Sequence, residues 1–513
     1  MRYGFVIDQN RCIGCHACTV ACKEEHNIAV GVNRTWVKYI EKGHYPDTRR
    51  HFAVLRCNHC DDAPCIEICP TVALYRRPDG IVDFDNERCI GCKSCMQACP
   101  YDALYIDPER NTAAKCNFDA SRVDMGYKPA CEVVCPTQAI LSGDLDNPNS
   151  PISKRIALEK VSVRKAEKGT KPKLFYVGVD GDLLNPTMME PQASHFWAEK
   201  VPGEDLYALK RGNPDRPVPG AALEVYDVPH MTPWGKKIAS YLWTKSISAG
   251  VLLLSALFLN MGFEQDGVLL GLIGPLLSLG FLAATMALLV LDLKKPSRFF
   301  FLLTKPNLNS WLVLGGYVLM IFGALLAIWL YQMYELGRAS PFIMWPAALF
   351  AVASAGYSAF LFAQARGRDF WQSPMLFWHL VLKAVSAGAA VLILIGSLEL
   401  ITPYQFASPQ LFVWLLNILV VSLLAGLAMV FGELFMKHGA EDATRASELL
   451  LKGPLWKPFW LLAVGLGGVA PAILILLPLG SLWPHLAAAL LALFGLWFYD
   501  HLWIKAGQAL PIS

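Results

Sequence analysis

The chain has 513 residues, 54% of them hydrophobic, and a formal net charge of +3. A balance this close to neutral gives no reason to expect nucleic acid as a partner. Apolar residues are concentrated after about residue 245 and charged residues before it, so the chain predicts one water-facing domain and one membrane domain.

The N-terminal part alternates strand-like runs with cysteine clusters. Residues 4–8 read GFVID, residues 80–84 read GIVDF, and the string RCIGC occurs at Arg11–Cys15 and again at Arg88–Cys92. We interpret the repeated string as an internal duplication. No charged, apolar and cleavable leader and no twin-arginine signal precede the first cysteine, so we expect this domain to stay in the cytoplasm.

All 15 cysteines lie between Cys12 and Cys135, in four groups. The groups read Cys12-x2-Cys15-x2-Cys18-x3-Cys22, Cys57-x2-Cys60-x4-Cys65-x3-Cys69-Pro, Cys89-x2-Cys92-x2-Cys95-x3-Cys99-Pro, and Cys116-x14-Cys131-x3-Cys135-Pro. Three closely spaced thiolates followed by a fourth that is set apart are typical of iron–sulfur cubanes, in which the fourth cysteine ligates the neighbouring cluster. Zinc ribbons, with two separated cysteine pairs, and disulfides, which are rare in the cytoplasm, fit the spacing less well.

Residues 146–240 are rich in Pro, Gly, Lys and Asp, with one strand-like run at 173–179, and favour a connector. Eight apolar stretches follow, each near the ~20 residues that a helix needs to cross hydrocarbon. They are 246–263, 267–291, 311–331, 342–363, 376–398, 410–434, 458–479 and 483–503. Seven or nine helices are the alternatives. A large soluble protein could not cover eight segments with so little charge, so we predict membrane spans.

Basic residues are distributed unevenly between the two ends of these stretches. The loops and flanks on the N-terminal side carry Lys236, Lys237, Lys245, Lys294, Lys295, Arg298, Lys305, Arg366, Arg368, Lys437, Arg445, Lys452, Lys457 and Lys505. The opposite loops carry only Arg338. Because cytoplasmic loops collect Lys and Arg, we expect a multi-pass protein of the prokaryotic cytoplasmic (inner) membrane, with the cysteine-rich domain and both termini in the cytoplasm.

Ionisable side chains within the stretches fall in the half that we assign to the cytoplasmic side. They are Asp292, Tyr357, His379, Lys383, Glu433, Asp500 and His501. Such groups are costly in a bilayer and usually functional. His379 and Lys383 share a helix face, and Tyr357 lies at a similar depth, which predicts a polar pocket. For Lys245, Asp500 and His501, close to the interface, we favour snorkelling towards water instead.

Residues 1–180 resemble the four-cluster ferredoxin-like subunits of the molybdopterin oxidoreductases, such as those of dimethyl sulfoxide, polysulfide and nitrate reductases. The resemblance implies an α+β ferredoxin-like domain in which the first cysteine group pairs with the last and the second with the third. The implied ligand sets are site 1 (Cys12, Cys15, Cys18, Cys135), site 2 (Cys22, Cys116, Cys131), site 3 (Cys57, Cys60, Cys65, Cys99) and site 4 (Cys69, Cys89, Cys92, Cys95). Site 4 is expected nearest the membrane.

Site 2 departs from the family pattern. The family's fourth group usually starts Cys-x2-Cys, but here the second position is Asp119. Either this carboxylate ligates iron or the cluster lacks one iron. The expected cofactors are therefore three [4Fe-4S] clusters and a fourth that is either [4Fe-4S] or [3Fe-4S].

Residues 241–513 resemble the NrfD-like membrane subunits of polysulfide reductase, and residues 181–240 are then a connector. The matching strings are Trp243-Thr-Lys245 through Ala249-Gly250, Asp292-Leu-Lys-Lys-Pro296-Ser-Arg298-Phe299, Pro306 to Trp311, Gly356-Tyr357 and Ala506-Gly507-Gln508. The resemblance implies an all-α bundle of about eight transmembrane helices with a quinone pocket formed by Lys245, Ser248, Asp292 and Tyr357. Our candidate quinone set adds His379, Lys383 and Glu433.

Quinone chemistry moves two electrons and two protons, whereas cubanes pass single electrons, so a site joining them needs a nearby cluster and protonatable groups. No glycine motif for a dinucleotide or flavin and no pterin-binding domain is evident. We therefore expect an oxidoreductase subunit without catalytic residues for a terminal substrate, anchored in membrane lipid. It would pass electrons between a molybdopterin-type catalytic subunit and menaquinone or ubiquinone in a respiratory chain. The alternatives are a subunit of an energy-coupling complex of the alternative complex III type and the anchor of a hydrogenase.

Overall fold

The structure is a computed structural model that describes residues 1–513 except 44–45, 187–189, 192–221, 398–406, 437 and 479–481, and only the backbone of residues 190–191. Much of the predicted connector, and Lys437 among the counted basic residues, lie outside the described residues. The described chain forms an N-terminal domain of strands and short helices followed by a bundle of long apolar helices.

Two four-stranded sheets frame the N-terminal domain, with strand orders β8-β1-β10-β9 and β11-β12-β2-β3, and two hairpins, β4-β5 and β6-β7, lie beside them. The strands are β1 Tyr3–Asp8, β2 Thr35–Lys42, β3 Arg49–Arg56, β4 Leu74–Arg76, β5 Val82–Phe84, β6 Leu104–Ile106, β7 Ala113–Lys115, β8 Ile140–Asp144, β9 Val161–Ser162, β10 Leu174–Val177, β11 Glu190–Pro191 and β12 Leu223–Tyr226. The strand-like runs of the sequence are thus confirmed as β1, β5 and β10. Strand β12, from the predicted connector, pairs with β2.

Short helices carry five of the 15 cysteines, and the others lie in the loops and turns beside them. The short helices are α1 Ala17–His26, α2 Pro64–Ile68, α3 Ser94–Ala98, α4 Ala120–Asp124 and α5 Ala130–Val133, followed by α6 Pro151–Leu158 and α7 Gly181–Leu184. Both RCIGC strings form the same turn, because Gly14 and Gly91 have φ of 71° and 69°. A left-handed backbone of this kind favours glycine. The repeated geometry agrees with the interpretation of an internal duplication.

Among the described residues, eight helices are long and apolar enough to cross a membrane. Membrane helices 1 to 8 are Lys236–Asn260, Val268–Asp292, Trp311–Leu336, Pro341–Gln364, Leu376–Gly396, Pro409–Phe435, Trp456–Leu476 and Trp483–Ala509. Shorter helices Phe301–Thr304 and Glu441–Leu451 lie in the loops after helices 2 and 6. The predicted count of eight is confirmed. Helix 1 starts about ten residues earlier than its apolar stretch because its first turns, including Ile238 and Tyr241, are buried by protein.

Helices 1 and 5 cross at the centre of the bundle. A Cβ placed on Gly250 would lie 1.8 Å from the Ala384 carbonyl oxygen, and one on Gly388 would lie 2.2 Å from the carbonyl carbon of Gly250. Small residues allow such close backbone approach between membrane helices. The crossing fixes the position of the polar side chains that these two helices carry.

The N-terminal domain sits on the loops that follow membrane helices 2 and 4. Backbone N–H groups of Lys294 and Gly367 donate to the carbonyls of Gly91 and Gln97, at 3.2 and 3.1 Å. Ser310 donates to the Ile68 carbonyl at 2.7 Å, and the Asn307 amide donates to the Cys69 carbonyl at 2.8 Å. Both loops therefore hold segments that carry the cysteines of sites 3 and 4.

Candidate functional site

The cysteine groups meet as two pairs of distant segments. One cavity is lined by Cys12, Cys15, Cys18 and Cys135, the members of site 1. A second cavity is lined by Cys69, Cys89, Cys92 and Cys95, the members of site 4. In each case three cysteines come from one group and the fourth from its partner group.

Electrostatic coupling between buried thiols groups the remaining cysteines. Burial raises the pKa of Cys22 to about 12, and the neighbouring Cys116 and Cys131 contribute to this rise. Burial likewise raises the pKa of Cys60 to about 12, with Cys57 and Cys99 as the next causes. Cys116 and Cys131 are the other members of site 2, and Cys57 and Cys99 belong to site 3.

The chemistry of the four cysteine sites fits iron–sulfur clusters. None of the 15 cysteines is in a disulfide. Because burial raises the pKa of thiols such as Cys22 and Cys60, buried thiolates need a compensating cation, which cluster iron supplies. Among the described residues, no group of three or more His, Cys, Asp or Glu side chains could hold a single metal ion. The ligands of a cubane bind different iron atoms, so they lie farther apart than the ligands of one zinc ion.

Asp119 lies in the interior beside site 2. One carboxylate oxygen accepts a hydrogen bond from the Ala130 N–H at 2.8 Å, and the other lies 3.4 Å from Nε2 of His26. Burial lowers the pKa of His26 to about 4, so at neutral pH the imidazole is uncharged and the contact is no ion pair. Oδ1 of Asp119 has no hydrogen-bond partner among the described residues. Whether this oxygen ligates iron stays a prediction.

In the membrane domain, Lys245 is the centre of a buried polar group. Its ammonium donates to Oγ of Ser358 at 2.6 Å and to the Ala355 carbonyl at 3.1 Å, and it lies 4.5 Å from the ring centroid of Tyr357. The Tyr241 hydroxyl is 3.1 Å from the same Ser358 oxygen. No carboxylate of the described chain lies within ion-pair distance of Lys245. We call Tyr241, Lys245, Tyr357 and Ser358 the Lys245 cluster.

Two residues of the predicted quinone set are engaged elsewhere. Ser248 donates to the Ser278 carbonyl of membrane helix 2 at 2.7 Å. Asp292 forms an ion pair with Lys93, at 2.7 Å, in the loop that carries the site 4 cysteines. The structure thus brings Lys245 and Tyr357 together, but gives Ser248 a helix-packing contact and Asp292 a contact between the two domains.

His379 and Lys383 line a cavity of about 50 Å³ between membrane helices 5, 6, 7 and 8. One water molecule requires only about 10–15 Å³. Lys383 is paired with the Asp500 carboxylate, and both side chains are buried. The His379 ring lies 5.0 Å from the ring of Tyr499, and Glu433 is buried one turn beyond Val430, which also lines the cavity. Lys383 and Asp500 are close enough to Lys245 to interact with it electrostatically.

The preference for snorkelling was wrong for two of its three residues. Lys245 is 0% and Asp500 2% exposed, because neighbouring helices cover them and each lies well inside its own helix, Lys236–Asn260 or Trp483–Ala509. His501 is partly exposed and stacks on Trp497.

Sequence reasoning did not select Tyr241 or Ser358. A signal was present, since Tyr241 precedes Lys245 by one helical turn and Ser358 follows Tyr357 directly, but only the fold shows that helices 1 and 4 face each other there. Sequence reasoning also did not select Arg56, which is buried and donates to Sγ of Cys131. The signal in the sequence was a charged residue between the apolar run Ala53-Val-Leu and Cys57.

Comparisons with known proteins agree with this arrangement. Residues 225–511 match the family described as polysulphide reductase, NrfD, residues 49–145 match the 4Fe-4S dicluster domain, and residues 3–24 match the 4Fe-4S binding domain. A tetrathionate reductase subunit of Salmonella typhimurium is 40% identical over 202 residues, which cover 39% of this chain and 80% of that protein. A polysulfide reductase component of Wolinella succinogenes is 43% identical over 181 residues, which cover 34% of this chain and 94% of that protein. Protein NrfC of Escherichia coli K12 is 43% identical over 180 residues, which cover 34% of this chain and 81% of that protein.

Proposed function

The chain belongs to the polysulphide reductase NrfD family, with a 4Fe-4S dicluster domain fused in front of the membrane domain, and from this premise we propose that it exchanges electrons between membrane quinone and a catalytic partner subunit. The clusters supply one-electron transfer when bound. The proposal assigns sites 1 to 4 as their ligand sets, the Lys245 cluster as the quinone contact, and no terminal-substrate chemistry to this chain.

One observation carries the proposal: the Lys245 cluster adjoins the cysteine core. Leu361 of membrane helix 4 belongs to the same buried core as the cysteines of sites 3 and 4. Tyr357 lies one turn earlier on that helix, about 6 Å along its axis. A ligand that contacts Tyr357 would therefore lie within a short distance of cysteine sites 3 and 4.

The Lys245 cluster has the chemistry to bind a quinone head group. An ammonium has three N–H donors, and two of those of Lys245 are used by Ser358 and Ala355. The third is free to donate to a quinone carbonyl oxygen. When it is protonated, Lys245 also stabilises the negative charge that a quinone gains on reduction.

Protonation of the quinone requires a route from water. The cavity lined by His379, Lys383 and Tyr499 has room for water and lies near the Lys245 cluster. We assign His379 and Glu433 as groups that relay protons towards the quinone from the side on which the cysteine domain sits. Lys383, which lines the cavity, holds the Asp500 carboxylate in place.

The partner docks, in this proposal, at the surface around site 1. Cys15 is exposed, and the nearby apolar side chains of Ile13, Val20 and Val133 are 57%, 64% and 59% exposed. Exposed apolar surface of this kind marks interaction sites. The names of the relatives, which are reductase subunits for tetrathionate and polysulfide, favour a catalytic subunit that acts on a sulfur compound. The proposal that this subunit is of the molybdopterin type comes from the family resemblance of the cysteine-rich domain.

The proposed orientation puts the cysteine domain in the cytoplasm. The asymmetry of basic loops supports this side. Some of those charges also serve the contact between the domains, since Arg298 donates to the Cys89 carbonyl and Arg366 pairs with Glu67. The excess of basic residues in these loops therefore reflects two causes: the orientation of the chain in the membrane and the contact between its two domains.

The experiment is quinol oxidation followed at the clusters of the purified protein. Tyr357→Phe and Lys245→Met should slow cluster reduction by quinol and leave the iron content unchanged. Loss of one neutral hydrogen bond, about 0.5–1.5 kcal/mol, corresponds to roughly 2- to 12-fold for Tyr357→Phe, with a larger loss for Lys245→Met. The matched control is Tyr317→Phe, whose hydroxyl faces the Leu302 carbonyl. Normal rates in both test variants would place the quinone elsewhere.

A further inference from the structure

Arg56 is a fully buried cation in the cysteine-rich domain. It is the last residue of β3 and directly precedes Cys57, and its side chain is 0% exposed. Its guanidinium lies over the ring of Phe5, 4.6 Å from the centroid. Burying an arginine charge is expensive unless the charge has a partner.

The hydrogen-bond partner of Arg56 is a cysteine sulfur of site 2. One N–H of the guanidinium donates to Sγ of Cys131 at 3.0 Å. Phe5, whose ring the guanidinium covers, belongs to the same buried core as Cys131 of site 2 and Cys18 of site 1, so Arg56 lies beside both sites.

The rest of the guanidinium is unpartnered. Nε and the second terminal nitrogen have no hydrogen-bond partner among the described residues, and no carboxylate of the described chain forms an ion pair with Arg56. A guanidinium carries five donors, and buried donors normally have acceptors. The inorganic sulfides of two bound clusters are acceptors that would satisfy the remaining donors.

We propose that Arg56 is a positioning residue that sets the reduction potentials of the clusters at sites 1 and 2 by placing one buried cation beside them. The proposal rests on the assignment of the cysteine sites under Proposed function. It predicts no effect of Arg56 on the reduction potentials of the clusters at sites 3 and 4.

The physical basis is electrostatic. Each cluster gains one electron on reduction and no bond is broken, so the reduced form carries one more negative charge. A nearby cation and a hydrogen bond to a ligating sulfur both stabilise that form, and both raise the reduction potential. The effect should be larger at site 2, which receives the direct hydrogen bond to Cys131.

The test is a redox titration of the whole purified protein monitored by electron paramagnetic resonance. Arg56→Gln should shift the midpoint potentials of two clusters to lower values, one more than the other, and leave the other two unchanged. Arg56→Lys keeps the charge but loses the planar fork, and should restore part of the shift. Iron is counted in every variant.

Arg164→Gln is the matched control. Arg164 is also a buried arginine of this domain, but its hydrogen bond goes to the Ile512 carbonyl rather than to sulfur. Unchanged potentials in Arg56→Gln, or an equal shift in Arg164→Gln, would overturn the proposal. Loss of iron from two clusters in both Arg56 variants would show a purely structural role and overturn it as well. Absence of clusters in the unmodified protein would instead refute the proposed function.

Discussion

The ion pair between Lys383 and Asp500 gives a quantitative prediction. Lys383→Met removes one charge and leaves the other buried, because the two side chains are only 1% and 4% exposed. Breaking a buried pair in this way costs about 3–5 kcal/mol. An exposed pair contributes only about 0–1 kcal/mol. The difference arises because a charge left unpaired inside the bundle is far less hydrated than one at the protein surface.

Thermal melting of the detergent-solubilised protein tests this ranking. Lys383→Met and Asp500→Asn should each lower the melting temperature far more than Arg50→Met, which breaks the exposed 3.0 Å pair with Glu41. The double variant Lys383→Met/Asp500→Leu should recover most of the loss, since no charge is then left unpaired. If Lys383→Met alone had the same melting temperature as Arg50→Met, the buried ion pair would be refuted.

Three further predictions concern other parts of the chain. Asp119→Cys should abolish a [3Fe-4S] resonance signal in the oxidised protein and bring the iron count from about 15 to about 16 per chain; an unmodified protein that shows only cubanes and resists oxidation would contradict this. Cysteines placed at Lys294 or Arg366 should react with an impermeant maleimide only after cells are opened, whereas one at Arg338 should react in intact cells; the reverse pattern would overturn the orientation. Burial alone lowers the pKa of His230, but Asp102 and Asp227 raise it to about 10. The stability that protonated His230 gives to the fold is therefore fully present below about pH 6.5 and is lost as the pH rises towards 10. His230→Gln should flatten the fall in melting temperature over that range, and an unchanged slope would exclude this role.

The cysteine spacing and the apolar stretches were predictable because both are local patterns. Ligands of one cluster recur at fixed short intervals, and a helix must be long enough to cross hydrocarbon. Pairing between groups, as of Cys135 with Cys12, required the family resemblance, because the two segments are far apart in the chain.

The polar pocket was predictable only in part because depth and partners depend on packing. Lys383 and His379 share a helix face, which the sequence shows, but the partner of Lys383 is Asp500 on another helix. Position near the end of an apolar stretch suggested that Lys245 and Asp500 reach water, yet each lies well inside its own helix and is covered by neighbouring helices. Ser248 was selected by resemblance and packs instead against membrane helix 2.

Anaerobic mixing of the purified protein with a quinol, and of its reduced form with the matching quinone, tests the central proposal most directly. We predict that in at least one direction the clusters change oxidation state, and that the exchange slows in Lys245→Met while the iron content stays the same. Clusters that respond to dithionite but neither accept electrons from quinol nor give them to quinone would contradict the account.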